Sequence, residues 1–212
     1  MELKEAIFKR RSVRKYLRKP VEKTLIEKVL ESAIWAPSAC DLQGWRFIVV
    51  EDEERKRELI KQGVVKLKNV PVGIFVIYDN RTRNPEYQDH VQSAAAAIQN
   101  MLLTAHSLGL GGCWFCALPP KECLRKMLKL PWHYDPIALV AIGYPAESPK
   151  EVLRKKAVPD LWCYGEFDFA EPVPSRRAYR LGDASLRVYS RLPRNLQAFI
   201  SNALARIRRL RK

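Results

Sequence analysis

Acidic side chains all but vanish from one end of this sequence. Residues 172–212 carry eleven Lys/Arg against one acidic residue, Asp183, while the whole 212-residue chain has a formal net charge of +15. Two thirds of the positive excess thus sits in the last fifth of the chain. Such an excess suits an anionic contact: nucleic acid, lipid, or an acidic partner surface. Long apolar runs are missing as well. None approaches the roughly eighteen residues of a membrane span. The opening Met1-Glu2-Leu3-Lys4-Glu5 is charged and lacks a signal-peptide core, so the expected compartment is the cytoplasm. Cysteine is sparse and odd in number: Cys40, Cys113, Cys116, Cys123 and Cys163. An odd count in a chain this long is no disulfide framework. Cys123 and Cys163 stand apart, unlike the paired thiolates of a zinc ribbon, so buried free thiols are the expectation. The three histidines, His90, His106 and His133, are not spaced as metal ligands. Also absent are a dinucleotide fingerprint, a phosphate-binding P-loop, a Ser-His-Asp or Cys-His arrangement with compelling spacing, and internal repeats. No side chain stands out as catalytic.

What is present is a chain of one domain, or one domain with an appendage, whose 47% hydrophobic fraction is ordinary for a globular protein. Glu2 to Lys9 reads as a short helix with Leu3, Ala6 and Ile7 on one face. Pro20 opens a second helix, about Val21 to Trp35, striped by Leu25, Ile26, Val29, Leu30, Ala33 and Ile34. After a turn-rich stretch come a strand at Trp45–Val50 and a charged, mostly solvated helix from Glu53 to Gln62. Val72–Tyr78 reads as a strand apolar on both faces. Tyr87 to Leu108 is the longest helix, apolar almost all round and so buried. A short extended piece, Cys113–Leu118, precedes a helix to about Leu128 and a last strand, Ile137–Ile142. Helices packed on a few strands indicate an α+β domain.

Arg10-Arg11-Ser12-Val13-Arg14 is the most chemically pointed stretch. In an extended segment alternate residues face one way, so Arg10, Ser12 and Arg14 converge on one anion while Arg11 and Val13 face elsewhere. Guanidinium forks grip a phosphate with paired hydrogen bonds, and a hydroxyl adds another donor. By itself the cluster reads more readily as a solvated basic loop. Pro37–Trp45 sets Ser38, Asp41 and Gln43 close together at a helix-to-strand turn; ordinary turn chemistry is its plainer reading. Gly109, Gly111 and Gly112 serve at least as a helix stop. Gly143-Tyr144-Pro145-Ala146-Glu147, followed by Arg154-Lys155-Lys156, is either a second anion contact or a solvated charge run.

Taken in order, Arg10–Arg14, Ala36–Phe47, Leu108–Trp114 and Ile142–Glu147 resemble the nitroreductase family of flavin-dependent oxidoreductases, over about residues 5–160. The resemblance implies a small mixed, mainly antiparallel sheet flanked by long helices, in an intertwined homodimer with two FMN sites at the interface. It implies that Arg10, Ser12 and Arg14, with Arg11 beside them, hold the FMN phosphate and ribityl chain. Pro37, Ser38 and Ala39 would line the flavin from the second subunit, with Asp41 and Gln43 near the ribityl or ring. Trp114, Phe115, Cys116 and Ala117 would pass the ring edge, and Arg154 and Lys155 would share the phosphate. FMN would carry a hydride from NADH or NADPH to a small acceptor: a nitroaromatic, a quinone or a flavin. Asp41 and Gly44 depart from the family's usual Asn and Pro; an ionised Asp41 accepts but cannot donate.

Residues 1–164 are assigned to this domain and 165–212 to a basic extension. Leu196, Phe199, Ile200, Ala203, Leu204, Ile207 and Leu210 form a helical stripe there. An arm packed on the dimer partner, an interfacial helix on anionic membrane, and nucleic-acid contact all remain open for it, the last without any accompanying motif. Two other functions stand beside the oxidoreductase: a flavoprotein with a different redox task, such as reductive removal of a substituent, and a basic membrane- or nucleic-acid-binding protein on this scaffold.

Overall fold

A computed structural model describes residues 1–81 and 84–169. The chain divides into two compact units, Met1–Val152 and a second that begins at Leu153. The described residues of the first unit form five α-helices and four strands, α1 (Leu3–Lys9), α2 (Lys23–Ile34), β1 (Trp45–Val50), α3 (Glu53–Lys61), β2 (Val72–Asp79), α4 (Asp89–Ser107), β3 (Gly111–Phe115), α5 (Lys121–Leu128) and β4 (Tyr134–Gly143), with short 3-10 turns at Ala39–Asp41 and Val65–Leu67. The described part of the second unit carries one short 3-10 turn, Val158–Leu161. The basic stripe expected beyond residue 195 lies outside the described residues. No helix among the described residues is long and apolar enough to cross a membrane.

The strands form one antiparallel sheet in the order β1-β2-β4-β3. Its one parallel element is an isolated bridge between Ser12 and Gly112. Alternation along β2 explains the layering. Ile74, Val76 and Tyr78 face α2 and α4, joining Val29, Ala33, Ala97, Ile98 and Met101 in one core. Phe75 and Ile77 face the opposite way, onto Leu59 of α3 and Leu124 and Leu128 of α5. The sheet is thus the middle of three layers. The small residues of α4 let it lie close: Ala94, Ala97 and Ala105 are fully buried. Pro136, which has no N–H to give a ladder, sits at a bulge where Val76 pairs with Ala138 but Ile77 with Pro136.

Three outcomes add to or differ from the sequence expectation. In α1 only Ala6 is buried; Leu3 and Ile7 are exposed, as are Phe8 nearby and Ile34 and Trp35 at the end of α2. Those apolar faces have no cover within this unit. In α3, Leu59 is fully buried and Lys56 is 3% exposed. The Lys56 ammonium pairs with Glu53 and donates to the carbonyls of Val70 (3.0 Å) and Pro71 (3.1 Å), fixing the approach to β2. Of the cysteines, Cys113 alone is buried, while Cys40 and Cys116 are exposed. A run of free thiols facing the interior does not occur, because only Cys113 falls on an inward strand position.

Two features fix the ends of the sheet. At one end Asp135 of β4, 6% exposed, accepts from Asn80 (3.0 Å), Lys121 and Arg125, with His90 Nε2 at 3.6 Å. The cluster ties α4, α5 and the end of β2 together. Burial by itself would raise this carboxyl, but the hydrogen bonds from Lys121 and Asn80 and the charges beside it hold it below its usual value. At the other end, Val13 packs flat on Gly111. A Cβ at Gly111 would lie 2.6 Å from Val13 Cβ and 2.7 Å from each Cγ, so no side chain fits.

We expect Gly111→Ala to cost about 1–3 kcal/mol in chemical denaturation through this overpacking, and to speed amide exchange at Val13. Asp135→Asn should cost about 3 kcal/mol, because it strands two cations on a buried neutral group. The carboxyl of Asp135 is lowered on folding, so its stabilisation is complete above the ordinary value of 3.8 and is lost as pH falls through that region. Stability measured between neutral and acid pH should therefore slope less in the variant than in the parent.

Candidate functional site

The Arg10–Arg14 segment leaves α1 and joins the edge of the sheet. The Val13 N–H donates to the Gly112 carbonyl (3.0 Å), and the Leu17 N–H to that of Tyr144 (2.9 Å). The Ala146 N–H in turn donates to Lys15 O (3.0 Å), and Tyr16 bridges Pro145. Three of the four stretches singled out in the sequence thus meet at one edge: the arginine cluster, the glycine-rich start of β3, and Gly143–Glu147. Glycines at 111, 112 and 143 make the approach possible. A Cβ at Gly143 would meet Pro71 Cγ at 2.6 Å and Tyr16 Cδ1 at 2.9 Å.

Burial alternates as an extended segment requires over residues 12–14, but Arg10 and Arg11 are both half-buried. Val13 is buried, whereas Ser12 and Arg14 are exposed. Neither Arg10 nor Arg14 pairs with a carboxylate among the described residues; Arg14 makes one long bond, 3.5 Å, to Ser12 O. Arg11 behaves differently. Its Nη1 donates to Phe8 O (2.6 Å) and Arg10 O (2.9 Å), closing the C-terminus of α1, where a cation suits the helix dipole. Its Nε is buried with no partner. Tyr16 locks the segment from below: its hydroxyl donates to Val13 O (2.6 Å), and burial pushes the phenol well above its usual value. The charges of Arg14 and Arg10 also reach the Cys113 thiol, which burial pushes up and those cations partly bring back. His106, on α4, feels the same cluster. Burial first, then Arg10, lowers its pKa, and its Nε2 has no partner.

The Pro37–Gln43 stretch is held elsewhere, against α4. The Ala39 N–H donates to Ser93 Oγ (3.1 Å), and Ser93 Oγ donates to Asp89 O (2.8 Å). The Gln43 N–H donates to Ser38 Oγ (3.2 Å). Ser93 was invisible in the sequence because its neighbours read only as a small-residue packing stripe. Cys40, Asp41 and Gln43 all adopt left-handed backbone, with φ of 50, 53 and 44°. This is not an ordinary helix-to-strand turn. Among the described residues Asp41 meets no arginine: its Oδ1 accepts from Gln43 Nε2 at 2.7 Å. Gly44 lies against the Tyr78 ring, where a Cβ would stand 2.8 Å from Cε1. No bond joins this stretch to Arg10–Arg14 within the unit.

At the end of β3, Trp114 and Phe115 are half-buried, while Cys116 and Ala117 are exposed. The Trp114 indole N–H is buried with no partner. Lys66 lies over the Phe115 ring, 5.7 Å from its centroid. Arg154 and Lys155 belong to the second unit and are exposed there. Chemically, the edge offers two guanidinium groups without a carboxylate partner among the described residues, and a hydroxyl between them in sequence, which is a donor set suited to an oxyanion.

A sequence model of the nitroreductase family matches residues 7–64 and 63–144. A protein named NADH dehydrogenase/NAD(P)H nitroreductase from Methanothermobacter thermautotrophicus is 39% identical over 155 residues, which is 70% of this chain and 80% of that protein. An NADPH-dependent FMN reductase from Bacillus subtilis is 29% identical over 177 residues, 73% of this chain and 71% of its own length. Among solved structures, an FMN-dependent nitroreductase from Clostridium difficile superposes with a TM-score of 0.67 at 32% identity, covering 78% of this chain and all (100%) of that one. From the matched span, the shared fold and the edge where three of the motifs meet, the chain belongs to the nitroreductase family.

Proposed function

We propose that this protein is an FMN-dependent NAD(P)H oxidoreductase that acts as a homodimer on a small electron acceptor. The observation that carries this reading is that Ser12 and Arg14 face outward around buried Val13, with Arg10 and Arg14 free of carboxylate partners among the described residues, on a backbone pinned to Gly112. Two unneutralised guanidinium groups beside a hydroxyl fit the phosphate of a mononucleotide. FMN, when bound, supplies the hydride chemistry between nicotinamide donor and acceptor.

The chain's own residues bind and orient. Arg10 and Arg14 take the phosphate, Ser12 gives a further hydrogen bond, and Arg11 holds the end of α1 so that its neighbours keep their aim. Trp114–Ala117 borders the ring edge, and the orphan Trp114 indole N–H is a donor available there. Pro37, Ser38 and Ala39 serve the site of the second subunit, with Asp41 and Gln43 beside them. This division agrees with the absence of any bond between that stretch and the arginine cluster in one unit. The uncovered apolar side chains Leu3, Ile7, Phe8, Ile34 and Trp35 are a surface for the partner. Arg154 and Lys155 add positive charge for the phosphate. The acceptor is of the nitroaromatic, quinone or flavin class, in keeping with the names of the relatives.

Purified protein should be yellow and should bleach on addition of NADH or NADPH under anaerobic conditions. Colourless protein that takes up no added FMN would overturn the reading. Replacing both Arg10 and Arg14 by Ala removes two charge-assisted contacts of about 1.5–3 kcal/mol each. FMN affinity, read by fluorescence titration, should fall by roughly two to four orders of magnitude, with the far-ultraviolet circular dichroism unchanged.

A further inference from the structure

A hollow of about 1010 Å³ opens beside the arginine cluster, between residues 14–21, the start of α3 and the approach to β2. It lies within the first unit. Small-molecule sites commonly occupy roughly 300–1,000 Å³, so this one has room for more than a single phosphate. Its walls carry seven basic side chains against Glu51 and Glu53. Three of the seven are engaged. Lys15 pairs with Glu147 (2.9 Å), Lys19 reaches Glu22 (3.7 Å), and Lys56 is spent on Glu53 and two carbonyls. The other four, Arg14, Arg18, Arg57 and Lys68, pair with no carboxylate among the described residues. Lys56 also neutralises Glu53, one of the two acids in the lining.

We propose that this hollow is a second ligand site, beyond the flavin anchor, for a phosphorylated small molecule of the nucleotide class. Charge selects the anionic end: with Arg14 given to the flavin phosphate, Arg18, Arg57 and Lys68 remain, three cations within one concavity that focus the field toward its mouth. The uncharged lining selects the rest. Tyr16, Val21, Ile60 and Pro71 supply an apolar wall suited to a planar ring. That wall is pre-formed. Tyr16 is held by its hydrogen bond to Val13 O, and the Val70–Pro71 turn by the buried Lys56 ammonium. A concave site turns away from a flat membrane. A second copy of a chain with net charge +15 is an electrostatically poor occupant.

The test uses full-length protein loaded with FMN, so that the flavin anchor is filled, and follows ADP, pyrophosphate and adenosine separately by titration calorimetry. ADP should bind more tightly than either fragment, and more weakly as salt rises. Arg18→Glu combined with Lys68→Glu should weaken ADP by roughly a hundredfold while flavin content and thermal stability stay as in the parent. Both residues are exposed and lie outside the flavin anchor. If that pair impairs folding, Arg57→Ala should still weaken ADP by roughly tenfold. No ADP binding, equal affinity in the variants, ADP no better than pyrophosphate, or release of flavin by ADP would each overturn the proposal.

Discussion

Everything at the functional edge depends on a side chain meeting a residue that has none. Val13 lies on Gly111 at a distance that no Cβ would survive. That contact brings the Val13 N–H to the Gly112 carbonyl, and two further backbone bonds extend the seam to Tyr144 and Ala146. Because the seam is extended, side chains alternate across it. Burying Val13 therefore turns residues 12 and 14 outward. Arg11 would otherwise compete for the same space, but it is drawn back onto the carbonyls that end α1. Aim at this edge is set by packing on one residue, and chemistry is left to its neighbours.

The unit handles its cations in two opposite ways. At the Asp135 end, Lys121 and Arg125 pair with Asp135, Arg125 also with Glu122, and the charges cancel locally. Lys56 is absorbed in the same manner by Glu53 and two carbonyls. Around residues 10–18 the arginines find no such sink. Compensated charge buried in low dielectric serves to join elements, with little net gain in stability. Uncompensated charge at a surface raises the local concentration of anions. One sequence, rich in Lys and Arg throughout, sorts them into these roles by where it places a few carboxylates.

Much of this was legible from the residues. The period of α2, the bounds of β1 and the two-faced apolarity of β2 follow from side-chain spacing alone, and the structure repeats them. The alternation of Ser12, Val13 and Arg14 followed as well, because extended backbone has a fixed period. Long-range pairing was less accessible. Lys56 looked like one more charge on a solvated helix, since its acceptors, Val70 and Pro71, are carbonyls that sequence hides. Ser93 passed as packing for the same reason. The apolar face of α1 was legible, yet periodicity reports that a face is apolar and says nothing of what covers it. Left-handed backbone at Cys40, Asp41 and Gln43 carried no signal, because none of these residues is glycine.

Those three residues have a consequence of their own. Left-handed conformations in side-chain-bearing residues are sparsely populated and cost on the order of 1–3 kcal/mol where they are strained. Glycine would adopt the same angles freely, and the chain has one immediately after, at Gly44. Backbone ease was therefore within reach and was not taken at positions 40, 41 and 43. A loop that keeps a thiol, a carboxylate and an amide on angles better suited to glycine has given up conformational comfort for the atoms those side chains present. Whatever meets that surface meets a shape imposed beforehand, so little further ordering is left to oppose its arrival.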